Sequence, residues 1–318
     1  MTQLLDFESG LESLEAEIKS LAHSAEDADI VRKMRALRKK RDAMLARLYD
    51  NMSDWQTCQV ARHPARPQAR DYIGALFDGF TELRGDRTYG DDPAVIAGLG
   101  KLNDKPVVVI GQQKGRDTAE KIRRNFGMSN PEGYRKALRM MDLADKFSLP
   151  LIAFVDTPGA YPGIGAEERG QSGAIGQCLY RAATMRAPML TVIIGEGGSG
   201  GALAFAAGDY VAMLRYAVYS VISPEGCASI LWKEAARMSD AAEMLGLTAP
   251  KLKKRLLIDE VISEPPGGAH RDAPAAIAAV GAALEKALAT LERPQTDALL
   301  QSRRERWRNY GVYTETRA

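Results

Sequence analysis

The chain has 318 residues, 45% of them hydrophobic and 26% charged, with a formal net charge of +2. That is the profile of a water-soluble globular protein of one large domain or two ordinary ones, and no global charge favours nucleic acid or a membrane surface. Three dispersed cysteines (Cys58, Cys178, Cys227) and three histidines (His23, His63, His270) show no ligand spacing, so no metal site is expected and a reducing compartment suits the thiols.

Taken in chain order, residues 4–49 carry apolar side chains at helical spacing, interrupted at Ser24–Asp29, and predict a helical hairpin over 1–50. Its second helix bears Arg32, Lys33, Arg35, Arg38, Lys39, Lys40 and Arg41, which reads either as a docking surface or as a solvated face. The opening residues are acidic and lack a signal-peptide core. Residues 51–70, with His63-Pro-Ala-Arg-Pro67, read as a connector, and the main domain is expected over 71–291. There, Ala94–Leu102 and Pro106–Ile110 flank Asn103-Asp104 as strand, turn and strand, and Pro131–Phe147 reads as a helix. Leu149–Val155 is apolar enough for a buried strand, followed by the loop Asp156-Thr-Pro-Gly-Ala-Tyr-Pro-Gly163 and a helix over Glu167–Ala187. Met189–Ile194 is a second buried strand, then a glycine loop over 195–201 and a short helix. Strands near Asp209–Leu214 and Tyr219–Ile222, helices over 225–258, a break at Pro265–Gly268 and a helix over Pro274–Leu291 complete the domain. Its longest apolar run, near Ala275–Leu284, is about half of what a bilayer crossing needs. The polar segment 292–318 is expected to fray. Repeated strand, glycine loop and helix units imply an α/β domain whose ligand sits at the strand C-termini.

The glycine loop, Gly195-Glu-Gly-Gly-Ser-Gly-Gly201, admits several readings. It matches a dinucleotide fingerprint, but the following helix is too short and no acidic residue stands about 20 positions on. A phosphate-binding P-loop motif is absent, so ATP is not expected to bind in that way. Gly197-x-Ser199-x-Gly201 matches a nucleophile elbow, with Asp259 and His270 following in hydrolase order. Against that, Ser199 lies five residues beyond Ile194, whereas an elbow serine sits at the strand end. Glycines that only permit tight helix–strand packing are a further reading. The last is an oxyanion hole of backbone N–H groups, which needs no catalytic side chain and suits so few histidines. In that reading a glycine of the loop holds its N–H toward the ligand, with a φ that only glycine accepts easily.

Several long motifs, in order over residues 4–290, carry a resemblance. They are Leu5-Asp-Phe-Glu8, Arg124-Asn-Phe-Gly127, Gly133-Tyr-Arg-Lys-Ala137, Asp156–Gln171, Gly195–Ala202, Ser223-Pro-Glu-Gly-Cys-Ala-Ser-Ile230 and Gly267-Gly-Ala-His270. Together they resemble the alpha subunits of the acetyl-coenzyme A carboxylase carboxyltransferase. Ser172-Gly173 departs from the Ser-Glu expected there. The resemblance implies a crotonase-like (ClpP/crotonase) α/β fold of repeated ββα units with an N-terminal helical extension. It implies transfer of a carboxyl group from carboxybiotin, on a biotin carboxyl carrier protein, to acetyl-coenzyme A, giving malonyl-coenzyme A for fatty-acid biosynthesis in the cytoplasm. The partner would be a beta subunit in an alpha2beta2 assembly, which carries the zinc. ATP would be used by a separate biotin carboxylase component of the larger complex.

By the same resemblance, the N–H groups of Gly200 and Gly201 hold the ureido oxygen of biotin, and the partner's matching glycines hold the thioester oxygen. Gly197, Gly198, Ser199 and Ala202, with Thr157, Gly159, Ala160, Tyr161, Gly163 and Arg169, are the expected substrate-binding residues. Lys114, Arg116, Arg123 and Arg124 are candidates for coenzyme A phosphates or the acidic carrier, a solvated loop being the other reading. A serine hydrolase using Ser199 is the alternative function, and a non-catalytic scaffold a third.

Overall fold

A computed structural model describes residues 3–21, 27–291 and 296–311. After a 3-10 turn at Asp6–Leu11 come α1 (Glu12–Leu21), α2 (Ala28–Asp50), α3 (Asp54–Ala61) and α4 (Ala69–Leu76). The domain continues β1 (Asp78–Glu82), β2 (Val95–Leu102), β3 (Lys105–Gln112), α5 (Thr118–Arg123), α6 (Pro131–Phe147), β4 (Leu151–Thr157), α7 (Ile164–Glu168) and α8 (Gln171–Thr184). It is completed by β5 (Met189–Gly198), α9 (Ser199–Leu203), β6 (Tyr210–Leu214), β7 (Val218–Ser220), α10 (Pro224–Trp232), α11 (Met238–Leu245), α12 (Ala249–Lys254), β8 (Glu260–Ile262), α13 (Ala273–Leu291) and α14 (Thr296–Arg308).

The strands form one sheet in the order β1-β2-β3-β4-β5-β6-β8, with β7 added to the far end of β5. β2 is antiparallel to both of its neighbours, β1 and β3; from β3 onward every strand pairing is parallel. Val107–Ile110, Leu151–Val155 and Met189–Ile194 are buried throughout, as central strands covered on both faces must be. Helix α6 lays Tyr134, Ala137, Met140, Met141 and Ala144 onto the core at helical spacing, and stops at Ser148 in a left-handed conformation (φ 53°). Helix α8 packs on α6, with the Cys178 thiol donating to the Tyr134 carbonyl.

Most predicted elements are present, and four expectations need correction. The segment 51–70 is no plain connector: it contains α3, opened by a reciprocal capping box between Ser53 and Gln56. The helix expected over 167–187 is broken into α7 and α8 at Gly170, whose φ of 79° cannot continue a helix. The frayed C-terminus is instead helical over Thr296–Arg308 and anchored by Arg303, which is 2% exposed. Residues 292–295 and 312–318, like residues 24–26 of the Ser24–Asp29 break, lie outside the described residues. Finally, the Ala275–Leu284 run belongs to α13, the one described helix long and apolar enough to cross a membrane by length and composition. Its Val280, Leu284 and Leu288 pack into the core, against elements that include α4 and β5.

Helix α2 carries its basic side chains outward, with exposed ion pairs Arg32–Asp29, Lys33–Glu17 and Arg41–Asp42. The N-terminal segment is fastened by Glu8, which accepts from Tyr49 and Arg271 at 2.9 and 2.8 Å.

Candidate active site at the strand ends

The C-terminal ends of β4 and β5 fall out of register. Val155 pairs with Ile193, but Thr157 pairs with Gly197, so two steps on β4 oppose four on β5. The Asp156 carboxylate fills this bulge and accepts the Glu196 N–H at 3.0 Å. A β-carbon at Gly195 would stand 2.4 Å from that carboxylate oxygen, so glycine is required there. Beyond the bulge, Glu196–Gly198 pair with Val218–Ser220 of β7. The glycines at 195, 197 and 198 are therefore strand and not loop. This corrects the expected boundary: β5 runs to Gly198 and passes directly into α9.

The passage is made at Ser199, an exposed non-glycine residue with φ 50°. Ser199 thus does stand at a strand end, and the five-residue gap that argued against a nucleophile elbow does not exist. The elbow nevertheless lacks its partners. His270 stacks on His63 with centroids 4.0 Å apart, and neither of its ring nitrogens has a hydrogen-bond partner. Burial and the neighbouring His63, Arg66 and Arg271 push its pKa down to about 2. His63 is bonded to the Gln3 carbonyl and the Ala65 N–H, and Asp259 is paired with Arg306. No base is arranged for Ser199 among the described residues.

Gly200 and Gly201 differ from expectation as well. Neither has a left-handed φ. Glycine is required at 201 because a β-carbon would come within 2.6 Å of the Ala160 nitrogen and the Gly159 carbonyl carbon. At 198 it would come within 2.1 Å of the Pro158 oxygen. The two glycines let α9 press against the 158–160 loop, so tight packing is a real part of the motif's meaning. It does not exhaust that meaning. Residues 199–201 are the first turn of a helix, whose N–H groups have no partner within it, and the N-cap Gly198 has no side chain to supply one. The buried Gln112 completes the support: its amide donates to the Gly201 carbonyl (2.8 Å) and accepts the Asp156 N–H (3.2 Å). Ala202 is fully buried behind the turn.

The facing loop is held by its own bonds. The Thr157 hydroxyl donates to the Gly159 carbonyl and accepts its N–H. The Tyr161 N–H donates to the Ser129 carbonyl, and Gln171 donates to the Ser129 and Tyr161 carbonyls. At Gly163 a β-carbon would lie 2.4 Å from the Tyr161 ring. Arg169 donates to Glu132 at 2.8 Å and lies over the exposed Tyr89 ring at 4.7 Å. Thr157, Gly159 and Ala160 are thus brought up against Gly197, Gly198 and Gly201, while Tyr161 packs on Gly163 and bonds to Ser129 and Gln171, and Arg169 is held by Glu132 of α6.

The basic segment divides. Lys114 turns inward between Asp156 (2.8 Å) and Glu196 (2.6 Å), and Arg124 is buried with a bond to the Pro93 carbonyl. Arg116 is exposed and paired with Asp71, and Arg123 is exposed. Sequence reasoning missed Arg62, Gln112, Asp156 and Glu196 as a set. Arg62 donates to Glu196 at 2.6 Å and to Glu225 at 2.5 Å. Burial alone would raise the Glu196 carboxyl, but Lys114 and Arg62 outweigh it and bring its pKa down to about 2. No group of three or more His, Cys, Asp or Glu placed to hold a metal occurs among the described residues.

Glycine-lined strand ends pass straight into a short helix on a mostly parallel sheet, in an α/β domain of the crotonase-like fold class. The fold matches "Transcarboxylase 12S", with methylmalonyl-coenzyme A bound, at a TM-score of 0.55 and 22% identity, over 70% of this chain and 41% of that one. It also matches the beta subunit of Pseudomonas aeruginosa geranyl-CoA carboxylase at 0.53 and 17%, over 78% and 44%. In sequence, residues 4–311 match the family described as "Acetyl co-enzyme A carboxylase carboxyltransferase-like". The "Acetyl-coenzyme A carboxylase carboxyl transferase subunit alpha" of Nitrosomonas eutropha is 56% identical over 311 residues, 97% of each chain. The chain belongs to the acetyl-coenzyme A carboxylase carboxyltransferase alpha family.

Proposed function

We propose that this chain is the alpha half of an acetyl-coenzyme A carboxyltransferase and receives carboxybiotin at the turn between β5 and α9. The observation that carries the reading is the uncapped first turn of α9, fixed in place by Gly198 and Gly201 against the 158–160 loop. When biotin gives up its carboxyl group, negative charge develops on its ureido oxygen. Main-chain N–H groups at Gly200 and Gly201, already rigid, meet that charge without reorganising, and one such donor is worth about 2.7–4 kcal/mol of barrier. Thr157–Gly163 forms the opposite wall, and Arg169 the rim. The biotin arrives as a substrate on its carrier protein. The freed biotin nitrogen takes the methyl proton of acetyl-coenzyme A, so no protein base is required of this chain.

A second oxyanion, on the thioester, needs a second set of donors. The Asp156–Gly163 loop is a poor source, since Pro158 and Pro162 have no N–H. A beta subunit, bearing the zinc, then supplies the acyl-coenzyme A half, in an alpha2beta2 assembly that works with biotin carboxylase in the cytoplasm. Of the four candidates, Arg116 and Arg123 are the solvent-exposed ones that can meet phosphates, Arg116 by giving up its pairing with Asp71; Lys114 and Arg124 are turned inward. The test is a malonyl-coenzyme A assay with this chain, its beta partner and biotinylated carrier. The isolated chain should be inactive, and mixing should restore transfer in proportion to the scarcer subunit. Full turnover by this chain alone would refute the split site.

A further inference from the structure

We propose that Lys114 is a positioning residue for the catalytic turn: its ammonium group, wedged between the Asp156 and Glu196 carboxylates, holds β4 and β5 in the displaced register from which α9 begins. The inference rests on the carboxyltransferase reading only for its kinetic assay.

The two carboxylates belong to the residues that make the bulge. Asp156 Oδ1 accepts both from Lys114 Nζ (2.8 Å) and from the Glu196 N–H (3.0 Å). Glu196 Oε2 accepts from Lys114 at 2.6 Å, while its other oxygen is taken by Arg62. From Asp156 the chain of contacts continues through Gln112 to the Gly201 carbonyl. The lysine is packed as well as paired, for a β-carbon at Gly127 would lie 2.8 Å from Lys114 Cγ. The Lys114, Asp156 and Glu196 side chains are 18%, 9% and 11% exposed, so water screens them little.

The surrounding charges make Lys114 hard to replace. Arg62, from α3, is shared between Glu196 and Glu225 of α10. Arg66 is committed to Glu264 and to the Ile194 carbonyl. The Tyr72 phenol and the Cys58 thiol both stay neutral, their pKa values raised by burial. Without Lys114, Asp156 has no ion-pair partner among the described residues, only the longer-range field of Arg66, and faces Glu196 across the bulge. Like charges so placed repel each other, and one of them binds a proton more readily.

The test is Lys114→Met in the assembled complex with the beta subunit and biotinylated carrier. We expect kcat to fall on the order of a hundredfold, as a displacement of about 1 Å at the reacting centre produces. The KM for acetyl-coenzyme A should stay within about twofold. Relative to wild type, the variant should recover as pH is lowered from about 8 to about 6, because protonating one carboxylate removes the repulsion. Adding Glu196→Gln should restore activity at neutral pH for the same reason. Independently of turnover, hydrogen exchange at the amides of residues 195–204 should quicken in Lys114→Met and slow again in the double variant. A raised KM with unchanged kcat would overturn the proposal in favour of a phosphate contact. So would a loss that neither pH nor Glu196→Gln relieves. If Lys114→Met fails to assemble, the double variant decides: assembly and activity support the wedge, and a second failure overturns it. An inactive wild-type complex would refute the carboxyltransferase reading, leaving the exchange experiment to judge Lys114.

Discussion

Gly200 and Gly201 are neighbours in the first turn of α9, yet a methyl group meets different surroundings at each. At 200 the nearest heavy atoms are the Ile175 methyls at 3.8 Å, an ordinary contact. At 201 the β-carbon falls 2.6 Å from backbone atoms of residues 159 and 160, against about 3.5–4.0 Å for a relaxed contact. The 158–160 loop must then retreat by about 1 Å, or α9 must tilt away from it. Overpacking of this kind costs about 1–3 kcal/mol, which for a chain of this size lowers Tm by roughly 2–6 °C. A 1 Å shift of the donors costs on the order of a hundredfold in kcat. Gly200→Ala keeps its N–H, gains about 0.5–1 kcal/mol of helix stability, and should hold kcat/KM within about threefold. The assay is malonyl-coenzyme A formation by each variant complexed with the beta subunit, beside thermal unfolding of the isolated chains. The reasoning fails if Gly201→Ala matches wild type in both, or if Gly200→Ala is the more damaged of the two.

Three other expectations can be checked in the same way. Ser199→Ala should keep transfer within roughly tenfold, about 1.4 kcal/mol of barrier, and Ser199→Gly should add about 1 kcal/mol of stability by relieving the left-handed φ; covalent labelling of Ser199 by a fluorophosphonate would contradict the first. Arg303→Met leaves the buried Asp209 carboxylate without its bidentate partner (2.7 and 2.6 Å) and should cost about 3–5 kcal/mol in urea unfolding; a loss below about 1 kcal/mol would mean that α14 contributes little. The Glu196 carboxyl has its folded pKa depressed from 4.5 to about 2, so its contribution to stability is complete above the unfolded value and is lost as pH falls from 4.5 towards 2. Acid unfolding of Glu196→Gln should lack that component, and an unchanged profile would remove Glu196 from the account.

The central strands were legible because burial on both faces leaves a nearly pure apolar run, as in Leu151–Val155. The end of β5 was not, because Gly195, Gly197 and Gly198 are turn formers by composition and strand residues only through the partners they find in β4 and β7. Helix α3 did leave a local sign, the Ser53-x-x-Gln56 box, within a stretch dominated by the prolines after it. Among site residues, the glycines were readable since their reason is local. The Arg62–Glu196 and Lys114–Glu196 pairs join residues 134 and 82 positions apart, and nothing in either segment marks its partner. Arg303 was hidden likewise, as one arginine among several in a polar segment whose acceptors are the carbonyls of Ala182, Met185 and Ala187.

Arg303 and Arg271 also set a timetable for synthesis. Arg271 closes on Glu8 across 263 positions, and Arg303 reaches back 94 positions to Asp209 beside the start of β6. The N-terminal hairpin leaves the ribosome early but has no Arg271 to grip until most of the chain has followed. The sheet can collect its strands in order, yet the carbonyls before β5 wait for α14. Contacts of such long sequence separation slow folding. A nascent chain stalled before Tyr216 leaves the apolar cluster of Leu11, Leu45, Tyr49 and Val60 incomplete, and one stalled before Arg271 leaves Glu8 without its ion pair, so both should be favoured clients for chaperones during translation.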